Sequence, residues 1–446
     1  MYRLQQFEAL IKGRRILIAG YGREGKSTHA LLQKIAPDTH CHIASNDDEI
    51  FGHLTRAAES HQPYDLIIKS PGISTMKFEG RCDLNTITSQ TDLFLQIYGD
   101  LTIGITGTKG KSTTTTLIWH VLSSTLGSQR RIILAGNMGI PLFDIVDQID
   151  ATTLVVAELS CHQLENIHRA PHIGVILNLY QEHLDHYHNY QGYQMAKMQM
   201  MLRQQGDDHS FYCTNSADLL HIVTKNKSSI HSHLHPYGLT DAKASHLDTL
   251  PTVLKGDHNL SNIFVARQVA SLCHIDDTQF AAALSSFHGL PHRLELVGEY
   301  NGITFYNDSI STIPEATIAA VEALQDVDTL ILGGFDRGID YAPLAAFLVD
   351  TTRAGSHIRN LVFVGQAGRR MKDEWQKANI SPFAISRNIL VEDNYDIIVS
   401  WCFTHTHTGS ICLLSPAAAS YDAFKNFEER GSKYKEYIIN RVRNIQ

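Results

Sequence analysis

Two segments of this 446-residue chain combine glycines, lysines and hydroxyls at spacings that suit a phosphate group. The first is Gly20-Tyr21-Gly22-Arg23-Glu24-Gly25-Lys26-Ser27, which satisfies G-x-x-x-x-G-K-[ST] strictly. The same residues satisfy G-x-G-x-x-G, with Asp47 and Asp48 roughly 20 residues further on, so a dinucleotide-binding turn is also open. The second is Thr106-Gly107-Thr108-Lys109-Gly110-Lys111-Ser112-Thr113, which breaks the strict spacing because Ile105 stands where the first glycine should be. Charge nevertheless favours the second loop for a triphosphate. Glu24 would place a carboxylate against a ligand that is already polyanionic, whereas the second loop has two lysines, flanking hydroxyls and no acid. Its backbone N–H groups would open a helix, the usual seat of a phosphate. Lys111 would reach the β- and γ-phosphates, and Ser112 or Thr113 would hold Mg2+. The first loop would then hold a nucleotide-type diphosphate without hydrolysing it.

An acid and a set of histidines follow at positions that suit a metal ion. Thr153–Leu159 reads as a strand ending in Glu158, and the carboxyl edge of a parallel sheet is where Mg2+-binding acids sit. The next apolar run leads into Glu182-His183-Leu184-Asp185-His186-Tyr187-His188. His183, His186 and His188 suggest zinc, but a loop gives no fixed facial geometry and no cysteine supports it. A glutamate and a histidine beside a phosphate loop fit Mg2+ better. Lys197 lies about one helix length further on and, taken alone, reads as a solvated lysine.

These residues need a scaffold, and the hydrophobic pattern supplies one. Apolar runs at 15–20, 64–70, 101–106, 153–159, 173–179, 329–334, 360–365 and 410–415 are short, β-branched and closed by Gly, Ser or Asn. Such runs read as strands buried on both faces. Helical stretches such as 112–126 and 314–324 lie between them, so the chain is expected to be an α/β protein with parallel sheets and right-handed crossovers. The polar stretch 228–246 reads as a hairpin or excursion, and a new strand is expected to begin at 301–308. Cuts near residues 96 and 298 give three expected domains, 1–96, 97–298 and 299–446.

Composition excludes several classes of protein. With 43% hydrophobic residues and a net charge of −8, the chain is neither disordered nor suited to tracking a nucleic-acid backbone. No membrane span and no secretory leader are expected from its apolar pattern, and its seven dispersed cysteines form no C-x-x-C pair. A reducing cytoplasm is therefore the expected location.

The motifs TGTKGKST (106–113), AELSCHQLE (157–165), QEHLDHY (181–187), GDHN (256–259), GLPHRLE (289–295), YNDSIST (306–312) and LLSPAAASYDAFKNFEERG (413–431) occur in the order found in the Mur ligases. The chain resembles that family over about residues 15–440, the last motif being the most discriminating. The resemblance points to the branch that adds D-glutamate to UDP-N-acetylmuramoyl-L-alanine in peptidoglycan synthesis. It implies a Rossmann-like UDP-binding domain, a central P-loop ATPase-type domain and a C-terminal Rossmann-like domain that receives the amino acid. The cofactors it implies are ATP and Mg2+, with two ions, and a monomer is expected. By position, Gly107–Thr113 would bind ATP with Lys111 on the phosphates, and Ser112, Glu158, His183 and Lys197 would hold metal. Lys197 would be the lysine that the family carbamylates. Asn259 would contact the nucleotide base, while Arg293 and Asp308 would reach its phosphates and ribose. Gly20, Tyr21, Gly22, Ser70, Pro71, Gly72 and Asn137 would surround the UDP substrate. Thr312, Arg337, Ser420 and Phe427 would hold the incoming glutamate.

The chain departs from the family pattern at three positions. Ile310 and Arg337 stand where lysines are usual, which bears on how the amino acid is seated, and Ala418 replaces a common cysteine. The same chemistry with L-glutamate is the nearest alternative. A folylpolyglutamate-type ligase would share the ATP site and differ in the N-terminal domain. An NAD-dependent oxidoreductase would rest on Gly20–Gly25 and leave the second loop unexplained. A non-catalytic nucleotide-binding regulator would leave Glu158, His183 and Lys197 without a task.

Overall fold

Ile16–Ala19, Leu66–Lys69 and Val327–Gly333 are buried along their whole lengths, as continuous apolar runs must be when helices cover both faces of a sheet. The computed structural model describes residues 2–184, 186–254, 256–350, 352–379 and 386–445, and among these sixteen strands form three sheets. The first sheet holds β1 (Ile16–Ala19), β2 (Cys41–Ala44), β3 (Leu66–Lys69) and β4 (Ile87–Thr88) in the parallel order β2-β1-β3-β4. The second holds β5 (Thr102–Thr106), β6 (Ile132–Gly136), β7 (Leu154–Glu158), β8 (Ile173–Ile176), β9 (His209–Cys213) and β10 (His233–Tyr237). Its order is β10-β9-β8-β5-β7-β6, again all parallel. The third holds β11 (Glu295–Tyr300), β12 (Ile303–Asn307), β13 (Val327–Gly333), β14 (Asn360–Val364), β15 (Asn388–Val391) and β16 (Ile411–Leu414), in the order β11-β12-β16-β13-β14-β15. The expected α/β class is what the chain forms.

Two local expectations need correction. Segment 228–246 is no excursion: it supplies β10, the edge strand of the second sheet, which pairs with β9 from His233 to Tyr237. Its histidines and Pro236 disguise it, and an edge is where a strand tolerates proline. The third sheet is also not wholly parallel, because β11 pairs antiparallel with β12. Asn301 and Gly302 join the two with φ of 52° and 74°, the left-handed pair that a tight hairpin turn requires. The strand expected at 301–308 is β12, while a bulge between Leu296 and Gly298 breaks the alternation of β11 and hides that strand in the sequence.

The chain divides into two compact units, residues 1–287 with the first two sheets and residues 288–446 with the third. Within the N-terminal unit the two sheets share a core, where Phe7 meets the edge of Phe143 at 5.0 Å. Ser27 Oγ also donates to Asp144 at 2.5 Å, and a buried ion pair of 3.0 Å joins Lys69, the last residue of β3, to Glu165. No helix among the described residues is long and apolar enough to cross a membrane.

Candidate active site

The strand order of the second sheet reverses at β5, with β7 on one side and β8 on the other, and such a switch point opens a crevice at the carboxyl ends of the strands. The loop after β5 enters that crevice. Gly107 (φ 153°) and Gly110 (φ 84°) take backbone conformations that side-chain-bearing residues avoid. Gly110 caps the helix Lys111–Leu126 without any side chain, so the first N–H groups of that helix remain available to an anion. Asn178, just beyond β8, moulds the loop. Its Oδ1 accepts from the N–H groups of Thr108 (3.1 Å) and Lys109 (2.8 Å), and its Nδ2 donates to the Lys109 carbonyl at 3.0 Å. The Lys111 ammonium folds back over the loop and donates to the carbonyls of Gly107 (3.0 Å) and Thr108 (2.9 Å). Ser112 and Thr113 follow in the first helical turn, half-buried.

Glu158 ends β7, beside this loop, and is 2% exposed. One of its oxygens accepts from Asn137 Nδ2 at 2.7 Å, while Oε2 is buried without a hydrogen-bond partner. An unpaired buried carboxylate oxygen is costly, and a cation is what would satisfy it. Lys197 overturns its solvated reading: it is 2% exposed, and its Nζ donates to the Gly107 carbonyl at 2.8 Å. Burial, aided by the nearby Lys111 ammonium, pushes its pKa down to about 7. The sequence concealed this because the helix Tyr190–Leu202 carries polar and Met residues all round.

His183 lies in the loop after β8, with a left-handed backbone (φ 55°) and a side chain 45% exposed. Its ring meets that of His162 at 4.7 Å between centroids, and the His162 ring lies 4.0 Å from that of His186. Cys161 completes the group, which corrects the expectation that no cysteine stands near these histidines. The sequence could not show this, because Cys161 follows β7 and His183 follows β8. Burial and the neighbouring His186 and His183 press the pKa of His162 down to about 4. His186 is committed elsewhere, 3.4 Å from Glu165, and His188 lies 3.3 Å from Glu79. Asp185 lies outside the described residues.

A cavity of about 320 Å³ adjoins the phosphate loop, lined by Lys109, Gly110, Asn178, Tyr180, Tyr237 and Leu239, together with Asp257, His258, Ser261 and Asn262 of the helix Asp257–Leu272. Asn259 is on the same helix and accepts from Asn262 Nδ2 at 3.4 Å. Aromatic walls beside a phosphate cradle suit a flat, partly apolar base.

The Gly20–Gly25 turn sits at the carboxyl end of β1. A Cβ on Gly25 would lie 2.1 Å from the Gly20 carbonyl, so only glycine fits there. Ser70 Oγ donates to that same carbonyl at 3.0 Å, which brings the segment Ser70-Pro71-Gly72 against Gly20, Tyr21 and Gly22. The helix Arg23–Ile35 opens here without a side-chain cap. Glu24 is half-buried and accepts from Gln163 Nε2 at 2.8 Å, Lys26 is exposed, and Arg23 reaches the Asn137 carbonyl at 3.4 Å. Asn137 thus touches both the first loop and Glu158.

Residues 105–270 match the Mur ligase middle domain. The chain is 30% identical to the UDP-N-acetylmuramoylalanine–D-glutamate ligase of Solibacter usitatus, over 84% of each protein. It is 29% identical to the enzyme of the same name from Oenococcus oeni, over 96% of this chain and 98% of that one. The chain belongs to the Mur ligase family. It is an ATP-dependent amide ligase. Its fold is also that of the solved MurF from Acinetobacter baumannii, with a TM-score of 0.56 at 15% identity over 86% of this chain and 88% of that one.

The remaining candidates of this Mur ligase lie in the C-terminal unit, at the carboxyl ends of β12, β13 and β16. Asp308 is buried, and its oxygens accept from Leu294 N (3.2 Å) and Ser415 Oγ (2.7 Å). Burial pushes its carboxyl up to about 6. Arg293 is exposed nearby in sequence. The exposed Arg337 donates to the Thr312 carbonyl at 3.1 Å, so these two candidates meet. Ser420 is buried, and the Phe427 carbonyl accepts from Ser309 Oγ at 2.8 Å. Sequence reading passed over Arg430, which is 1% exposed and donates to the carbonyls of Ser309, Ala418 and Ala419 at 2.8–3.1 Å. Its five fixed donors hold the segment carrying Ser420 against β12, and its place inside the last family motif was the available signal.

Proposed function

We propose that this Mur ligase joins D-glutamate to UDP-N-acetylmuramoyl-L-alanine, with ATP converted to ADP and phosphate. The observation that carries the reading is the convergence of Lys111, Glu158 and Lys197 on one glycine loop, with a carboxylate oxygen of Glu158 left unpartnered. That oxygen, together with Ser112, His183 and a carbamylated Lys197, supplies the hard oxygen and imidazole donors that Mg2+ accepts, and two ions fit the set. Bound there, Mg2+ supplies charge neutralisation on the triphosphate.

The protein's own groups set up the transfer. Lys111 and the open helix N-terminus hold the phosphates, so the alanyl carboxylate attacks the γ-phosphorus in line and ADP leaves. The glutamate amine then attacks the acyl carbon, loses a proton and expels phosphate to leave the amide. Gly20–Gly22, Ser70–Gly72 and Asn137 seat the UDP portion, and the Tyr180–Tyr237 cavity takes the adenine. Thr312, Arg337, Ser420 and the backbone near Phe427 seat the glutamate, where a guanidinium grips a carboxylate in a planar, bidentate way. Asn259, Arg293 and Asp308 complete the nucleotide contacts. Residues 1–96, 97–298 and 299–446 would serve UDP, ATP and amino acid respectively, in a cytoplasmic monomer.

Phosphate release with UDP-N-acetylmuramoyl-L-alanine, ATP and each pure enantiomer of glutamate tests this. Release with D-glutamate and little with L-glutamate is the expected result. The reverse would overturn the choice of amino acid, and release with neither would overturn the acceptor. Glutamine should be used ~100-fold less well, because it leaves Arg337 poorly paired.

A further inference from the structure

Cys161 Sγ and a ring nitrogen from each of His162 and His183 all lie within 4.8 Å of one another. We propose that these three side chains form a binding site for a borderline-soft divalent ion of the zinc class, overlapping the Mg2+ site at His183 and extending away from it to Cys161 and His162. The donor set is the first reason. One thiolate and two imidazoles are ligands that zinc accepts, and a thiolate is one that Mg2+ does not. The span is the second. With Zn–S near ~2.3 Å and Zn–N near ~2.0 Å, tetrahedral donors sit roughly 3.5 Å apart, so side-chain rotations of about 1 Å close the site.

The supports differ in rigidity, as an adjustable site requires. Cys161 and His162 begin a helical turn whose entry is locked by reciprocal bonds between Ser160 and Gln163. Cys161 is 3% exposed, and His162 Nε2 is buried without a hydrogen-bond partner, so its lone pair or proton is left uncompensated by the protein. His183, by contrast, is half open to solvent on its loop, which leaves an entry path and room for a water as fourth ligand. Binding transfers the Cys161 proton to solvent and takes both histidines neutral, with no change of oxidation state. An ion held there would occupy the His183 ring. Zinc would therefore inhibit ligation, and excess Mg2+ would relieve the inhibition.

The binding test does not depend on the ligase reading. The full chain, stripped with chelator, is titrated with Zn2+ by calorimetry and separately loaded with Co2+. One equivalent of Zn2+ and a near-ultraviolet thiolate-to-cobalt absorption band are expected for the wild type. Cys161→Ser should lose the band, and both Cys161→Ser and His162→Gln should bind Zn2+ roughly 100-fold more weakly. A wild type without the band, or variants that bind as tightly as wild type, would overturn the site. Because the band is read on the wild type, the result stands even if a variant fails to fold.

Discussion

The ammonium of Lys111 donates to two carbonyls of its own loop, whereas Lys26 stands exposed after a glycine turn whose acid, Glu24, is engaged by Gln163. One residue type in two surroundings predicts two phenotypes. Lys111→Ala should lose ~10³-fold or more in kcat, because charge stabilisation is most of phosphoryl-transfer catalysis. Lys26→Ala should raise KM for the UDP substrate with kcat nearly kept, as steady-state kinetics on both substrates would show. Asp308 predicts a pH effect. Burial raises its carboxyl from 3.8 to about 6, so the folded chain holds the proton more tightly than the unfolded chain. The associated stability is fully present below 3.8 and is lost as pH rises through about 6. Asp308→Asn, which does not titrate, should therefore be more stable than wild type at pH 8, by up to ~3 kcal/mol, and about equal to it near pH 4. Urea midpoints at the two pH values check this, and the same variant should lose activity.

Between elements, the decisive contact in the N-terminal unit is the buried Lys69–Glu165 pair, which joins β3 to the segment following β7. Burial alone would raise the Glu165 carboxyl, but the hydrogen bond from His186 and the Lys69 charge hold it down to about 2. Removing one partner strands the other charge, so Lys69→Met should cost ~3–5 kcal/mol, and Lys69→Met with Glu165→Leu should recover most of it. Denaturant titration of the three variants measures the coupling. The parallel strands with continuous apolar runs, such as β5, β7 and β13, were legible in the sequence because burial on both faces leaves a one-letter signature. Edge and hairpin strands were not: β10 reads HLHPY, and β11 carries a glycine bulge. The site divides along the same line. Lys111 and Glu158 could be read because each ends a recognisable strand-loop unit. The burial of Lys197, the mould formed by Asn178 and the meeting of Cys161 with His183 depend on loops that return from different strands, and no spacing along the chain encodes them.

Each of the two units has its own core, around β5, β7 and β8 in one and around β13, β14 and β16 in the other. A fragment ending at Phe287 should therefore fold alone, with cooperative thermal unfolding and a nucleotide affinity within ~10-fold of the full chain. It should not turn over, since Asp308, Arg337 and Arg430 lie beyond it. Equilibrium binding of a non-hydrolysable ATP analogue and a phosphate-release assay on the same preparation would separate the two properties.

The buried amine of Lys197, with its pKa near 7, makes a dissolved gas part of the chemistry. A neutral amine adds carbon dioxide, forming an N–C bond and releasing a proton, and an ammonium cannot. If the carbamate completes the metal site, the enzyme responds to the atmosphere above its buffer. Activity should decline over hours in degassed, slightly acidic solution, and return within minutes when bicarbonate is added at pH 8. Lys197→Ala should ignore bicarbonate and recover in part with a small added carboxylate. A cell-wall enzyme built this way would sense carbon dioxide tension through one side chain.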